Sequence, residues 1–95
     1  METINAVIQA RMDSSRLPGK ILMKLEETPI LEHIVRRLDQ VKNINTIIVA
    51  TSDKATDDQV EKFCMSIGVP CVRGSEENVL QRFGKVSELF PADIY

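Results

Sequence analysis

Two kinds of apolar pattern alternate along the chain. Short, nearly continuous apolar runs predict buried parallel strands at Ile4 to Ala10, Thr46 to Thr51 and Pro70 to Arg73. Stretches with apolar residues three or four positions apart predict amphipathic helices at 29–41, 56–67 and 76–90. A short extended piece is expected at 21–25, and 93–95 resembles the opening of a fourth strand.

Residues with known preferences for helix ends mark the boundaries of these helices. Thr28 followed by Pro29 predicts an N-cap and the first helical position. The 56–59 stretch, Thr-Asp-Asp-Gln, fits a capping box, Gly68 fits the end of that helix, and Ser75 fits the cap of the third. The apolar stripe of the third helix is predicted at Val79, Leu80, Phe83, Val86, Leu89 and Phe90.

The resulting order, strand and helix in strict alternation, predicts an α/β fold with a parallel sheet and helices on both faces. In such sheets ligands bind beyond the carboxyl ends of the strands. The loops that follow the predicted strands are 11–20, 51–56 and 73–76. Any binding residues are therefore expected in these three segments.

Composition narrows the class of protein. The chain has 95 residues, a net charge of −2, 43% apolar and 27% charged residues, which is ordinary for one globular domain or a piece of one. The acidic balance argues against nucleic-acid and membrane-surface binding, and no apolar run is long enough for a membrane span. With no export signal at the N-terminus, a cytoplasmic location is expected. Cys64 and Cys71 do not have a zinc-site spacing and are expected to be reduced core thiols.

Residues 11–20, here called the basic segment, stand out against this acidic background. Arg11, Arg16 and Lys20 face a single acid, Asp13, so the local charge is +2. Small residues and hydroxyl groups lie between them, at Ser14, Ser15 and Gly19. Cations and backbone donors after a strand suit a phosphate, although a solvated basic loop has the same composition. Neither the Walker A nor the Gly-x-Gly-x-x-Gly pattern is present.

A longer motif runs through this segment. Residues 8–22, Ile-Gln-Ala-Arg-Met-Asp-Ser-Ser-Arg-Leu-Pro-Gly-Lys-Ile-Leu, resemble the opening signature of the acylneuraminate cytidylyltransferase family, which includes the CMP-sialic acid and CMP-KDO synthetases. The branch named for spore coat polysaccharide biosynthesis protein F is the most similar, and Gln9 favours it. The resemblance continues through 28–31, 48–51 and 73–82.

This resemblance implies a three-layer, Rossmann-like nucleotidyltransferase fold of the glycosyltransferase-A type. Residues 1–95 would form the N-terminal nucleotide-binding portion of one such domain, truncated after the start of its fourth strand. Arg11 and Lys20 would be the catalytic residues, contacting the phosphates of CTP. The CTP-binding residues that the resemblance implies are Ala10, Arg11, Met12, Ser14, Arg16, Lys20, Arg73 and Ser75.

The implied reaction joins a sugar or sugar acid to CMP from CTP, with release of pyrophosphate, in surface or spore-coat polysaccharide biosynthesis. The resemblance also implies Mg²⁺, with its ligand Asp expected beyond residue 95 and no metal ligand within this chain. A homodimer is a further expectation, and the fragment alone is expected to be inactive. The alternatives are a nucleotide-sugar glycosyltransferase of the same fold and a non-catalytic nucleotide-binding fragment.

Overall fold

The computed structural model describes residues 3–12, 20–75 and 77–95, without the side chains of Lys20 and Val79. Short 3₁₀ turns span Lys20–Leu22 and Ala55–Asp57. The strands and helices, in chain order, are β1 (Ile4–Gln9), β2 (Lys24–Leu25), β3 (Thr28–Pro29), α1 (Ile30–Asp39), β4 (Ile44–Ser52), α2 (Asp58–Ile67), β5 (Cys71–Gly74) and α3 (Val79–Leu89).

A parallel three-stranded sheet has the order β1–β4–β5. Its register places Gln9 beside Ala50 and Ser52 beside Gly74, so the three strands end at the same edge. On the outer side of β1, Ile4 and Ile94 form a single parallel bridge. The predicted parallel sheet is confirmed, and the chain beyond α3 returns to lie beside β1.

Helices cover both faces of this sheet, which confirms the predicted three-layer arrangement. Central strand β4 is buried on both sides, so its apolar run is nearly continuous rather than alternating. One face packs under α1 and α2, and the other under α3. The buried residues of the first face are Ile8, Ala10, Leu31, Val35, Val49, Val60 and Cys64, and those of the second are Ile48, Ala50, Val72 and Val86.

The apolar stripe predicted for α3 is only partly buried. Val86 is fully buried, but Leu80 is 83% and Leu89 is 62% exposed. The ring of Phe83 packs edge-on against Tyr95, with centroids 5.3 Å apart. Helical periodicity identifies residues that can share a face, whereas burial also requires a surface opposite them. In the described part of the chain, α3 packs mainly against β4 and β5, so residues on its other sides stay exposed.

The start of α1 differs from the prediction. Thr28 does not cap the helix, because Thr28–Pro29 pairs antiparallel with Lys24–Leu25. The turn between the two short strands contains Glu26 and Glu27 at φ 55° and 68°, the left-handed region that tight hairpin turns require. The expected extended piece at 21–25 is therefore a 3₁₀ turn followed by a two-residue strand. Helix α1 begins at Ile30 without a side-chain cap.

Two further capping predictions are wrong and one is confirmed. Gly68 ends α2 with φ 72°, as expected for a left-handed C-cap. At the start of α2, however, the cap residue is Asp57 rather than Thr56, and the Asp57 side chain makes no hydrogen bond to the helix. At α3 the cap is Asn78 rather than Ser75, and its side chain accepts the N–H of Gln81 at 3.0 Å.

Cys64 and Cys71 are free thiols that form no disulfide. Cys64 is buried, as expected for a core thiol, and Cys71 is partly buried. A hydrogen bond with Cys64, together with burial, raises the pKa of the Cys71 thiol, so it stays protonated near neutral pH. In the part of the chain that the structure describes, none of the helices is long and apolar enough to cross a bilayer.

Candidate nucleotide site

The carboxyl ends of β1, β4 and β5 bring three connecting segments together. The basic segment leaves β1 through Ala10, which is 1% exposed and donates its N–H to the Ala50 carbonyl oxygen at 2.9 Å. Residues 52–58, here called the β4–α2 connection, leave β4 beside it. The Asp53 N–H donates to the Gly74 carbonyl oxygen at 2.8 Å, so this connection is also joined to the end of β5.

The structure places the predicted site residues at this edge as far as it describes them. Ala10, Arg11 and Met12 follow directly after β1. Lys20 begins the 3₁₀ turn at the other end of the basic segment, with its side chain outside the description. Ser14 and Arg16 lie outside the described residues. The roles predicted for these six positions in CTP binding stay predictions.

Asp57 is a residue at this edge that the sequence analysis did not single out. Its side chain is buried, and its carboxylate accepts the backbone N–H of Met12 at 2.7 Å and the hydroxyl of Ser52. A buried carboxylate is stable only where donors replace the lost water, and these two bonds do so. Two adjacent acids at 57–58, at the start of a predicted helix, gave no sign in the sequence that one of them would be buried.

Arg73 forms a second link to the β4–α2 connection. Its Nε donates to the Ser52 carbonyl oxygen at 2.9 Å, and one terminal nitrogen donates to the Lys54 carbonyl oxygen at 2.6 Å. The other terminal nitrogen bonds Asp58 at 2.7 Å and Glu61 at 3.3 Å. The hydrogen bond with Asp58, more than that with Glu61, raises the pKa of Arg73. The guanidinium is thus engaged within the protein, and its predicted contact with CTP stays a prediction.

Ser75 lies in residues 75–78, here called the β5–α3 connection, and its polar atoms have local partners. Its N–H donates to Oε1 of Gln81 at 2.8 Å, and its hydroxyl oxygen accepts the N–H of Asn78 at 3.2 Å. Lys85 donates to the Arg73 carbonyl oxygen at 2.6 Å, just before this connection. These bonds shape the start of α3, and binding of CTP by Ser75 also stays a prediction.

Arg82, the second residue missed from the sequence, is a buried cation behind the edge. It is 2% exposed on α3, and a Cβ atom on Gly74 would come within 2.8 Å of its Cγ, so glycine is needed for this approach. Burial and then the charge of Arg11 lower the pKa of Arg82, while the Asp57 carboxylate opposes them. Arg82 is therefore close enough to interact electrostatically with both Arg11 and the buried Asp57 carboxylate.

The described residues do not form a magnesium site. Among residues 3–12, 20–75 and 77–95, no three or more His, Cys, Asp or Glu side chains come together as metal ligands. The Asp57 carboxylate, which bonds the start of the basic segment, accepts a hydrogen bond from the protein on each of its oxygens. The resemblance places the ligand of Mg²⁺ beyond residue 95, so the requirement for Mg²⁺ stays a prediction.

The chain is similar to known proteins over nearly its whole length. A family model for cytidylyltransferases matches residues 5–95. The chain is 47% identical over 92 residues to the spore coat polysaccharide biosynthesis protein SpsF of Bacillus subtilis (strain 168), covering 93% of this chain and 38% of that protein.

Two solved structures are similar over nearly the whole chain. A cytidylyltransferase from Leptospira borgpetersenii superposes with a TM-score of 0.90 at 34% identity, covering 99% of this chain and 40% of that one. A CMP:2-keto-3-deoxy-manno-octonic acid synthetase complexed with CTP superposes with a TM-score of 0.73 at 29% identity, covering 98% and 37%. The chain therefore spans about two fifths of the length of these proteins.

Proposed function

Because the chain belongs to the cytidylyltransferase family, we propose that it binds CTP at the carboxyl edge of its sheet, through the basic segment. It forms the nucleotide-binding part of an enzyme that transfers CMP to a sugar or sugar acid and releases pyrophosphate. The observation that carries this proposal is the position of the basic segment. It leaves β1 at the ligand-binding edge, with Met12 held to the neighbouring connection.

The chemistry assigned to this edge is positioning and charge stabilisation. A sugar hydroxyl attacks the α-phosphorus of CTP, the bond to the bridging oxygen breaks, and pyrophosphate leaves with the electron pair. Arg11 and Lys20 are proposed to contact the phosphates and offset the charge that develops on the leaving group. Ser14 and Arg16 complete the phosphate contacts, and backbone groups of Ala10 and Met12 orient the nucleoside.

Similarity to two kinds of relative supports the class of product. One similar structure is a CMP:2-keto-3-deoxy-manno-octonic acid synthetase solved with CTP. One relative is named as a spore coat polysaccharide biosynthesis protein. We extend both to this chain as a proposal, with surface polysaccharide as the destination of the activated sugar. Mg²⁺ is part of the proposal only if residues outside those described supply its ligands, and no step above is routed through it.

Replacement of Lys20 tests the phosphate contact. Lys20→Ala removes one charge-assisted bond, worth about 1.5–3 kcal/mol, and should weaken CTP binding about ten- to a hundredfold. The measurement is calorimetric titration of CTP into the protein expressed from the complete open reading frame. Lys42→Ala, an exposed lysine between α1 and β4, removes the same charge and should bind as the wild type does. Equal dissociation constants for Lys20→Ala and wild type would refute the assignment.

Product analysis separates the proposed reaction from glycosyl transfer, which the same fold supports. The complete protein is incubated with CTP and a panel of sugar acids, and pyrophosphate is measured. The proposal expects pyrophosphate and a CMP-sugar, and it expects CTP to raise the melting temperature more than UTP, ATP or GTP does. Transfer of sugar from a preformed nucleotide sugar, without pyrophosphate, would favour the alternative.

A further inference from the structure

Asp57 joins two segments that are far apart in sequence. Met12, whose N–H it accepts at 2.7 Å, lies 45 residues away at the start of the basic segment. Ser52, whose hydroxyl it also accepts, ends β4. Lys54 donates its N–H to that same Ser52 hydroxyl at 3.2 Å, so the carboxylate stands at the centre of a continuous hydrogen-bond chain. The Asp57 side chain thus links the residues that follow β1 to the last residue of β4.

The orientation of Asp57 is not that of a helix cap. It occupies the cap position of α2, yet its side chain makes no hydrogen bond to that helix. Aspartate at this position ordinarily accepts an N–H from the first turn and remains in solvent. Here it is 1% exposed, and an ionised group is expensive to bury. The carboxylate is therefore placed for its long-range partners, and the buried Arg82 is near enough for its charge to interact with that of Asp57.

We propose that Asp57 is a positioning residue for nucleotide binding: it fixes the Met12 backbone and so the direction in which the basic segment leaves β1. The inference rests on the proposed function, because the segment's ligand is taken to be CTP. Bonds from backbone N–H groups to a carboxylate are among the stronger hydrogen bonds of a protein. Loss of this bond frees the first peptide of the segment, and binding must then order it again.

Four variants of the complete protein separate this role from a purely structural one. Asp57→Ala removes both bonds and should weaken CTP binding at least tenfold at a temperature where circular dichroism shows it folded. Asp57→Asn keeps an oxygen for Met12 and offers an amide donor to Ser52, so it should bind within about threefold of wild type. Ser52→Ala retains the Met12 bond and should also bind within about threefold. Asp53→Asn, an exposed acid of the same connection, is the control for charge.

The outcomes are distinct. A folded Asp57→Ala that binds CTP with the wild-type dissociation constant would overturn the positioning role alone. If the wild type does not bind CTP, the proposed function is refuted. CTP is then also ruled out as the ligand whose binding Asp57 assists.

Hydrogen exchange gives a test that does not depend on the stability of Asp57→Ala. The Met12 amide of the wild type should exchange at least tenfold more slowly than an unbonded amide, and Asp57→Asn should retain most of that protection. Exchange of the wild-type Met12 amide at the rate of an unstructured peptide would overturn the inference. Protection of this amide in the absence of nucleotide supports a segment held in place before CTP arrives.

Discussion

The β4–α2 and β5–α3 connections have similar positions and sequences but are held in different ways. Each follows a parallel strand, ends at the same edge of the sheet and leads into a helix. Both contain the small polar residues that predict a local N-cap. At β5–α3 the cap forms, from the exposed Asn78. At β4–α2 the capping position turns inward, and Arg73 and Asp57 tie the connection to β5 and to the basic segment.

This difference shows how position in the sheet changes the meaning of a cap signal. Strand β4 is central, so its connection has neighbours on both sides, whereas β5 has β4 on one side only within the described chain. A polar side chain on the β4–α2 connection can therefore reach β1 or β5. A polar side chain on the β5–α3 connection lies mainly near its own helix.

Arg73 should contribute more stability than any side chain of the β5–α3 connection. Arg73→Ala removes bonds to two backbone carbonyls of the β4–α2 connection and should lower the free energy of unfolding by about 2–3 kcal/mol. Arg73→Lys should lose most of this, because an ammonium group cannot donate in several fixed directions. Urea unfolding of the complete protein measures both.

Arg36→Ala is the matched control for Arg73, since Arg36 pairs only with Glu32 across an exposed turn of α1 among the interactions in the described chain. Such pairs contribute about 0.3–0.5 kcal/mol. If Arg73→Ala and Arg36→Ala shift the urea midpoint equally, the link between Arg73 and the β4–α2 connection has no energetic weight.

Gly74 should be sensitive to a single methyl group. Its Cβ would meet Cγ of Arg82 at 2.8 Å and the Arg82 backbone at 3.2 Å, and the buried arginine has little room to move. Gly74→Ala should therefore destabilise the protein by about 1–3 kcal/mol through overpacking. In contrast, Gly84 has open space around its position, and Gly84→Ala should stabilise α3 by about 0.5–1 kcal/mol. Thermal unfolding that moves both variants in the same direction would contradict the close contact.

The local cap of α3 should have the smallest effect. Asn78→Ala removes the acceptor for the Gln81 N–H and should cost about 1 kcal/mol, the ordinary value for an N-cap. Asn43→Ala, an exposed change between α1 and β4, should stay within about 0.5 kcal/mol of wild type. Both are measured by urea unfolding, and a loss at Asn78 as large as that at Arg73 would remove the distinction between the two connections.

Local sequence patterns predict the alternation of parallel strands and covering helices, the parallel sheet and the edge at which the basic segment begins, but not the β2–β3 hairpin. These follow from local information: continuous apolar runs belong to doubly covered strands, and helical spacing belongs to helices. Gly68 was also predictable, because its left-handed conformation depends on the absence of its own side chain. The family signature in the basic segment likewise lies within one short stretch of sequence.

Which polar side chains are buried depends on contacts that form only in the tertiary structure. Thr28 fitted a helix cap and Asp57 lay within the predicted 56–59 capping box, yet Thr28 joins a hairpin and Asp57 bonds a residue 45 positions away. Leu80 had the spacing of a core residue and is 83% exposed, while Arg82 is buried. In each case the choice is between a local partner and a distant one. Its free energy depends on groups that come together only when the sheet has formed, and no local pattern contains that information.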